Sequence, residues 1–138
     1  MLWATRRGCH VDRTACIWLI RRRIDPGAEF RFFRDASEAQ EGAELFDEAG
    51  ARLSHRGDAC SFETILEEYA LGDPVLREIS EIVHDADLMD DRYGRPESDG
   101  LDAVIKGMQL ALSDDEALTV HTDAIFDGLY AYLRRETL

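Results

Sequence analysis

Short apolar runs separated by charged residues characterise the first third of the chain. Leu2–Arg6 and Glu29–Phe33 have the length and composition of strands, and residues 15–20 between them are apolar on every side, which is typical of a buried helix. We expect this helix to cover residues 13–23, with Asp12 as its N-cap. A strand, a helix and a second strand in this order predict a parallel βαβ unit.

The patterning is weaker in the middle of the chain. Residues 35–51 are acidic and rich in alanine and glutamate, which favours a short helix and a turn. A further strand is expected over residues 52–55.

From Ser61 onward the apolar positions recur with a helical period. Ser61 is expected to cap a helix that stops at Gly72, and Asp73 and Pro74 suit the N-cap and first position of the next helix. After a polar loop over residues 90–100, apolar positions predict one helix in residues 101–112 and another in residues 118–133. The pattern predicts an α+β, mostly helical fold, in which an N-terminal βαβ-like unit with a small sheet precedes a four-helix C-terminal part. We expect a single domain over residues 1–138.

Composition and charge narrow the class of protein. The net charge of −13 argues against a nucleic-acid-binding domain. The chain contains no run near the ~20 apolar residues of a membrane helix and no signal peptide, so a cytoplasmic protein without membrane contact is expected. Residues 1–34 hold eight arginines against three acidic residues. These arginines either pair with the protein's own carboxylates or form a local anion site.

Three cysteines, Cys9, Cys16 and Cys60, contain no CxxC pair, so neither a disulfide framework nor a zinc ribbon is predicted. Cys16 lies in the apolar run and is expected to be a buried small hydrophobe. Cys9 and Cys60 have polar sequence neighbours, which suits a ligand or a redox group.

Each of the four histidines has a carboxylate or a cysteine close by in sequence, which suggests a metal site. His84 and Asp87 are three residues apart on a predicted helix, and we expect both side chains to address one target. His10 has no evident structural duty and is a candidate ligand or general base. His121 lies on the apolar stripe of the last helix and is expected to be a core histidine. Asp127 on the same helix is a candidate to reach the site.

Four segments of the chain look like the ChrB, or chromate resistance, domain. They are TRRGCHVDRTACIWLIRR at residues 5–22, SHRGDACSFE at 54–63, IVHDAD at 82–87 and FDGLYAY at 126–132. The resemblance implies a domain that occurs alone, at the C-terminus of longer ChrB regulators, or beside rhodanese-like domains. It also implies that eight residues stand on the family's positions, whereas His121 does not: His10, His55, Asp58, Cys60, Glu63, His84, Asp87 and Asp127.

These observations lead to a metal-binding domain as the first hypothesis, with a divalent iron, manganese or zinc ion as cofactor. Its candidate ligands are His84, Asp87, His55, Asp58, Glu63 and Asp127. Arg13 and Arg56 are candidates to bind a small oxyanion such as chromate or sulfate. If the domain is an enzyme, His10 and Cys60 are its candidate catalytic residues.

Two alternatives stay open. In the first alternative, the domain is a non-catalytic sensor of chromate or metal that acts through a protein partner. In the second, it is an oxidoreductase that uses Cys9 or Cys60. Nucleic acid is not an expected partner of this domain alone. Apolar helix faces are compatible with a homo-oligomer.

Overall fold

A small parallel sheet forms the N-terminal part of the computed structural model, which describes residues 1–135. Strand β1 (Leu2–Arg6) pairs with β2 (Glu29–Phe33), in a register that runs from Leu2 opposite Glu29 to Arg6 opposite Phe33. Strand β3 (Glu44–Leu45) pairs in parallel with the other edge of β1, so the strand order is β2-β1-β3. The predicted βαβ unit is confirmed.

Helix α1 (Val11–Leu19) connects β1 to β2 and continues as one π-helical segment, Ile20–Ile24. All of its residues except Arg13 are buried, as the uninterrupted apolar run predicted. The N-cap of α1 is His10, so the prediction that Asp12 caps this helix was wrong. Asp12 lies in the first turn, and its carboxylate instead accepts the N–H groups of Ser61 and Phe62 in another helix.

The third strand lies earlier than predicted. Residues 52–55 form no strand, and Leu53 makes only an isolated bridge with Phe46. Phe46, the residue after β3, stabilises the pairing of β3 with β1. It is fully buried and packs in T-shaped contacts with Trp3 and Phe30. The short helix expected in residues 35–51 is the 3-10 turn Ala36–Glu38.

Four helices follow the sheet in the described residues, as predicted: α2 (Ser61–Glu68), α3 (Pro74–Leu88), α4 (Glu97–Ala111) and α5 (Asp115–Arg134). Asp73 caps α3, since its carboxylate accepts the Val75 N–H at 2.8 Å. The N-cap of α2 is Cys60 rather than Ser61, and α2 ends before Gly72 because Ala70 has a φ of +50°. Helix α4 begins inside the segment that was expected to be a loop.

Helix α1 lies at the centre of the molecule and packs against α2, α3, α4 and α5. The large buried side chains Trp3, Trp18, Phe62 and Phe126 are drawn from the sheet and from three different helices, so one core joins them. This packing places the start of α1, the start of α2 and the end of α3 side by side. No helix within residues 1–135 combines the length and apolar character needed to cross a bilayer.

Candidate metal centre

Asp12, His55 and Asp87 come together where α1, the segment before α2, and α3 meet; we call these three residues the open cluster. Nε2 of His55 lies 3.1 Å from Asp12 Oδ2 and 3.4 Å from Asp87 Oδ2. The ligand atoms of all three residues lie within 4.8 Å of one another. The cluster lines a cavity of about 330 Å³, whose wall also includes Gly8, His10, Arg13 and Asp47.

Asp12 is the fixed member of the open cluster. Its side chain is buried, and its two oxygens accept the backbone N–H groups of Ser61 and Phe62 at 2.9 and 3.0 Å. These N–H groups belong to the first turn of α2, where the helix dipole also favours a negative charge. Asp12 Oδ2 remains in contact with His55 at 3.1 Å. A carboxylate held in this way has a fixed position and a fixed orientation.

Asp47 adds a third carboxylate to the cavity, and sequence reasoning missed it. Its Oδ1 lies 3.7 Å from His55 Nε2 and accepts the Ser61 hydroxyl at 2.7 Å. Its backbone has a φ of +48°, a left-handed conformation that is uncommon for a residue other than glycine and that concentrates at functional sites. Among the neighbouring acidic residues of the segment 35–51, no pattern singled it out.

The electrostatics of the cavity reflect an excess of carboxylates. Burial, and then the charge of Asp12, raise the pKa of Asp87 to about 7. The pKa of Asp47 is also raised, by burial and by Asp12, although Arg13 opposes this. The hydrogen bond with Asp12 and the charges of the surrounding carboxylates raise the pKa of His55 to about 9. Without a metal ion, the cluster therefore retains protons that a cation can replace.

Two other predicted site residues lie beside this cavity. His10 is exposed at the N-terminus of α1. Arg13 forms an ion pair with Asp47, with 2.9 Å between Nε and Oδ2, and its Nη1 donates to the carbonyls of Arg6, Arg7 and Gly8. The guanidinium of Arg13 is thus committed to the protein's own acceptors, which leaves it few donors for an oxyanion.

Cys60, Glu63 and His84 form a second group, which we call the closed cluster, and their ligand atoms also lie within 4.8 Å of one another. His84 is fully buried. Its Nδ1 lies 2.6 Å from Glu63 Oε1, and its Nε2 lies 2.9 Å from Asp90 Oδ2. Burial alone would lower the pKa of His84, but the hydrogen bonds with Glu63 and Asp90 outweigh it, and the pKa is raised.

The structure does not bring His84 and Asp87 to one target. Residues three apart on an α-helix differ by about 60° in direction around the axis. In α3 this difference is enough for His84 to contact Glu63 of α2 and for Asp87 to lie beside His55 and Asp12. The two residues therefore belong to different clusters.

Several other candidates lie outside both clusters. Asp58 is exposed and belongs to neither. Arg56 pairs with Glu68 of α2 and does not line the cavity. Asp127 accepts the indole N–H of Trp18 at 2.8 Å and pairs with Arg22 at 2.9 Å, which gives it a structural role. His121 is exposed, so the prediction of a core histidine was wrong.

Cys9, Cys16 and Cys60 are all free and fully buried. Burial raises the pKa of each thiol, and nearby carboxylates raise it further. Cys9 and Cys60 are therefore buried in spite of their polar sequence neighbours. A buried thiol that keeps its proton is a poor nucleophile, which weighs against redox catalysis by Cys9 or Cys60 in the metal-free protein.

Comparison with known proteins gives two matches. The family model for the C-terminal domain of ChrB matches residues 3–133. Protein ChrB of Cupriavidus metallidurans is 38% identical over 133 residues, which cover 94% of this chain and 40% of that protein. The chain thus spans less than half the length of this relative. No solved structure matches the chain.

Proposed function

The chain belongs to the chromate resistance family ChrB, matched through that family's C-terminal domain, and from this premise we propose that it binds a divalent metal ion in the open cluster. One observation carries the proposal. Asp12, His55 and Asp87 direct one imidazole nitrogen and two carboxylates to a common point at the wall of a cavity. A third carboxylate, that of Asp47, lies 3.7 Å from the same imidazole nitrogen.

The donor set indicates which ions suit the cluster. One imidazole with two or three carboxylates suits iron(II), manganese or zinc, whereas calcium prefers oxygen ligands alone. Burial and, after it, the charges of Asp12 and Asp47 raise the pKa of Asp87 to about 7. A divalent ion offsets the repulsion among these three carboxylates. These two considerations support a first-row transition-metal ion as the cofactor.

The cavity leaves room for a further ligand beside the ion. A bound ion of this kind supplies Lewis-acid or redox chemistry, and an oxyanion can bind to it directly. Arg13 then acts by holding Asp47 in place, since its own donors are occupied. His10, exposed at the rim, is the side chain placed to carry a proton to or from such a ligand. In this proposal Arg56 has no part in oxyanion binding.

The alternative is a sensor that binds the same ion and acts through a partner. The comparison of lengths supports this alternative, because the matched region is 40% of Protein ChrB of Cupriavidus metallidurans and is therefore joined to other segments in that protein. An assay of metal-loaded protein with chromate and an added thiol reductant separates the two. Turnover lost in His10→Ala supports an enzyme, whereas tight metal binding without turnover supports the sensor.

Metal analysis of protein purified without an affinity tag tests the proposal. We expect the content of iron, manganese or zinc to fall by close to one ion per chain in His55→Ala and in Asp87→Asn. Asp58→Asn is the matched control, because Asp58 is an exposed acidic residue outside both clusters, and its variant is expected to retain the ion. Equal metal contents in Asp87→Asn and Asp58→Asn would contradict the proposal.

A further inference from the structure

The closed cluster has a chemistry that the open cluster lacks. It joins the Cys60 sulfur to the Glu63 carboxylate and the His84 imidazole, whereas the open cluster offers only nitrogen and oxygen. Sulfur is a soft ligand that selects zinc-like ions over manganese. The two clusters use no residue in common, so each can be removed without deleting a ligand of the other.

His84 is oriented as a metal-bound histidine usually is. Its Nε2 faces the Asp90 carboxylate at 2.9 Å, while its Nδ1 faces Glu63. In metal sites the second ring nitrogen of a ligating histidine typically donates to a carboxylate, which fixes the tautomer and raises the basicity of the ligand. The His84 ring also packs in a T-shaped arrangement with Tyr93, with 5.2 Å between ring centroids, which further limits ring rotation.

The start of α2 positions the other two ligands. Cys60 is the N-cap and Glu63 the third helical residue, and Glu63 Oε1 accepts the Cys60 N–H at 2.9 Å. Local helix geometry therefore holds the thiol and the carboxylate on the same side. Glu63 and Tyr93 also line a separate cavity of about 440 Å³ that includes Ser80 and Glu81. Of the three residues of the closed cluster, Glu63 is the one that lines this cavity.

From this geometry we infer that Cys60, Glu63 and His84 form a second metal site, specific for a thiophilic divalent ion such as zinc, with Asp90 as the hydrogen-bond partner of His84. Three protein ligands with an open fourth position are typical of zinc sites that admit water or a further ligand. Tetrahedral zinc with bonds of about 2.0–2.3 Å needs ligand atoms roughly 3–4 Å apart, so small side-chain movements suffice.

Binding of the metal ion at this site releases protons. The ion displaces the proton of the Cys60 thiol and the proton held between His84 Nδ1 and Glu63, and both protons leave to solvent. The proton on His84 Nε2 stays in the hydrogen bond to Asp90. No oxidant or reductant is required.

Cobalt(II) titration of the metal-free full chain under reducing conditions tests the inference. A thiolate bound to cobalt gives a sulfur-to-metal charge-transfer band in the near ultraviolet, which nitrogen and oxygen ligands do not give. We expect the band to appear in the wild type and to be lost in Cys60→Ser. Cys9→Ser is the matched control, because Cys9 is equally buried but hydrogen-bonded through its backbone to Asp115, and its variant is expected to keep the band.

Two further variants keep the inference falsifiable if Cys60→Ser does not fold. Asp90 is partly exposed, and Asp90→Asn is expected to weaken the cobalt affinity reported by the band about 10- to 100-fold. Glu63→Gln retains an oxygen acceptor for the Cys60 N–H and is expected to weaken the same affinity at least about tenfold. Absence of the band in the wild type, or an unchanged band in Cys60→Ser, would overturn the inference.

The second site does not depend on the open cluster. Asp87→Asn is expected to keep the charge-transfer band while it loses the ion of the open cluster. If the wild type binds metal but shows no charge-transfer band, only the second site is refuted. If the band appears but Asp87→Asn leaves the metal content unchanged, only the site at the open cluster is refuted.

Discussion

Asp12 shows how one buried residue can serve both the fold and the candidate site. Its carboxylate satisfies two N–H groups of α2 and contacts His55. Sequence reasoning assigned Asp12 to the cap of its own helix, because capping is usually local. Asp12 is 49 residues from Ser61 and 50 residues from Phe62 in sequence, so no local pattern could reveal these hydrogen bonds.

Asp12→Ala is expected to destabilise the metal-free protein. The substitution leaves the Ser61 and Phe62 N–H groups buried without their acceptor, which costs about 1–3 kcal/mol. Urea unfolding followed by circular dichroism measures this loss. Asp58→Ala provides the comparison for removal of an exposed aspartate, and an Asp12→Ala midpoint as high as that of Asp58→Ala would contradict the account.

The protonation of His55 and Asp87 predicts the pH dependence of stability. The folded-state pKa of His55, about 9, exceeds its ordinary 6.5, so its contribution is complete below pH 6.5 and is lost as the pH rises through 9. Asp87 acts in the same direction at lower pH, because its folded-state pKa of about 7 exceeds 3.8, so its contribution is lost as the pH rises from 3.8 through 7. Above pH 7 the fall in stability is due to His55. The Tm of metal-free protein should therefore fall between pH 6.5 and 9.

A thermal unfolding series across this pH range checks the sign. His55→Gln should flatten the fall in Tm. Saturating metal should reverse it, because the ion takes the place of the protons and binds more tightly as they leave. A Tm of metal-free protein that rises from pH 6.5 to 9 would refute this description of the open cluster.

At the scale of elements, α3 and the segment that follows it hold parts of both clusters. The helix ends at Leu88, and its C-cap Met89 has a left-handed conformation with a φ of +53°. The chain then turns back over the buried Asp85. The Asp85 carboxylate accepts the N–H groups of Tyr93 and Arg95, which fixes the segment bearing Asp90. These contacts explain why a polar stretch between two helices is ordered around His84.

Met89→Gly is expected to raise the free energy of unfolding by up to about 1 kcal/mol. Glycine adopts a positive φ without steric cost, and this gain exceeds the added entropy of the unfolded chain. Leu110→Gly is the matched control, because Leu110 is also highly exposed but lies in the last turn of α4, where glycine is less favourable than leucine. Equal destabilisation of both variants in urea unfolding would contradict the assignment of strain to Met89.

At the scale of the molecule, local signals predicted the elements well and their assembly poorly. The apolar run in α1 and the Asp73-Pro74 start of α3 are local, and both predictions were confirmed. The two-residue strand β3 depends on burial of Phe46 against distant rings, which the acidic surroundings concealed. The separation of His84 from Asp87 depends on which helix packs on each side of α3.

The arginine-rich first quarter of the chain was open to two interpretations, and the structure supports internal pairing. Arg6 pairs with Glu48, Arg13 with Asp47 and Arg21 with Asp123. Each of these pairs joins the N-terminal unit to a later segment of a chain whose net charge is −13. These three arginines therefore contribute to the tertiary structure.

Anomalous diffraction from crystals of the untagged protein grown with manganese(II) is the most direct test of the open cluster as a metal site. We expect a peak within about 2.0–2.3 Å of an oxygen of Asp12, Nε2 of His55 and an oxygen of Asp87. No peak in the cavity, with those three side chains still in direct contact at saturating metal, would contradict the central claim.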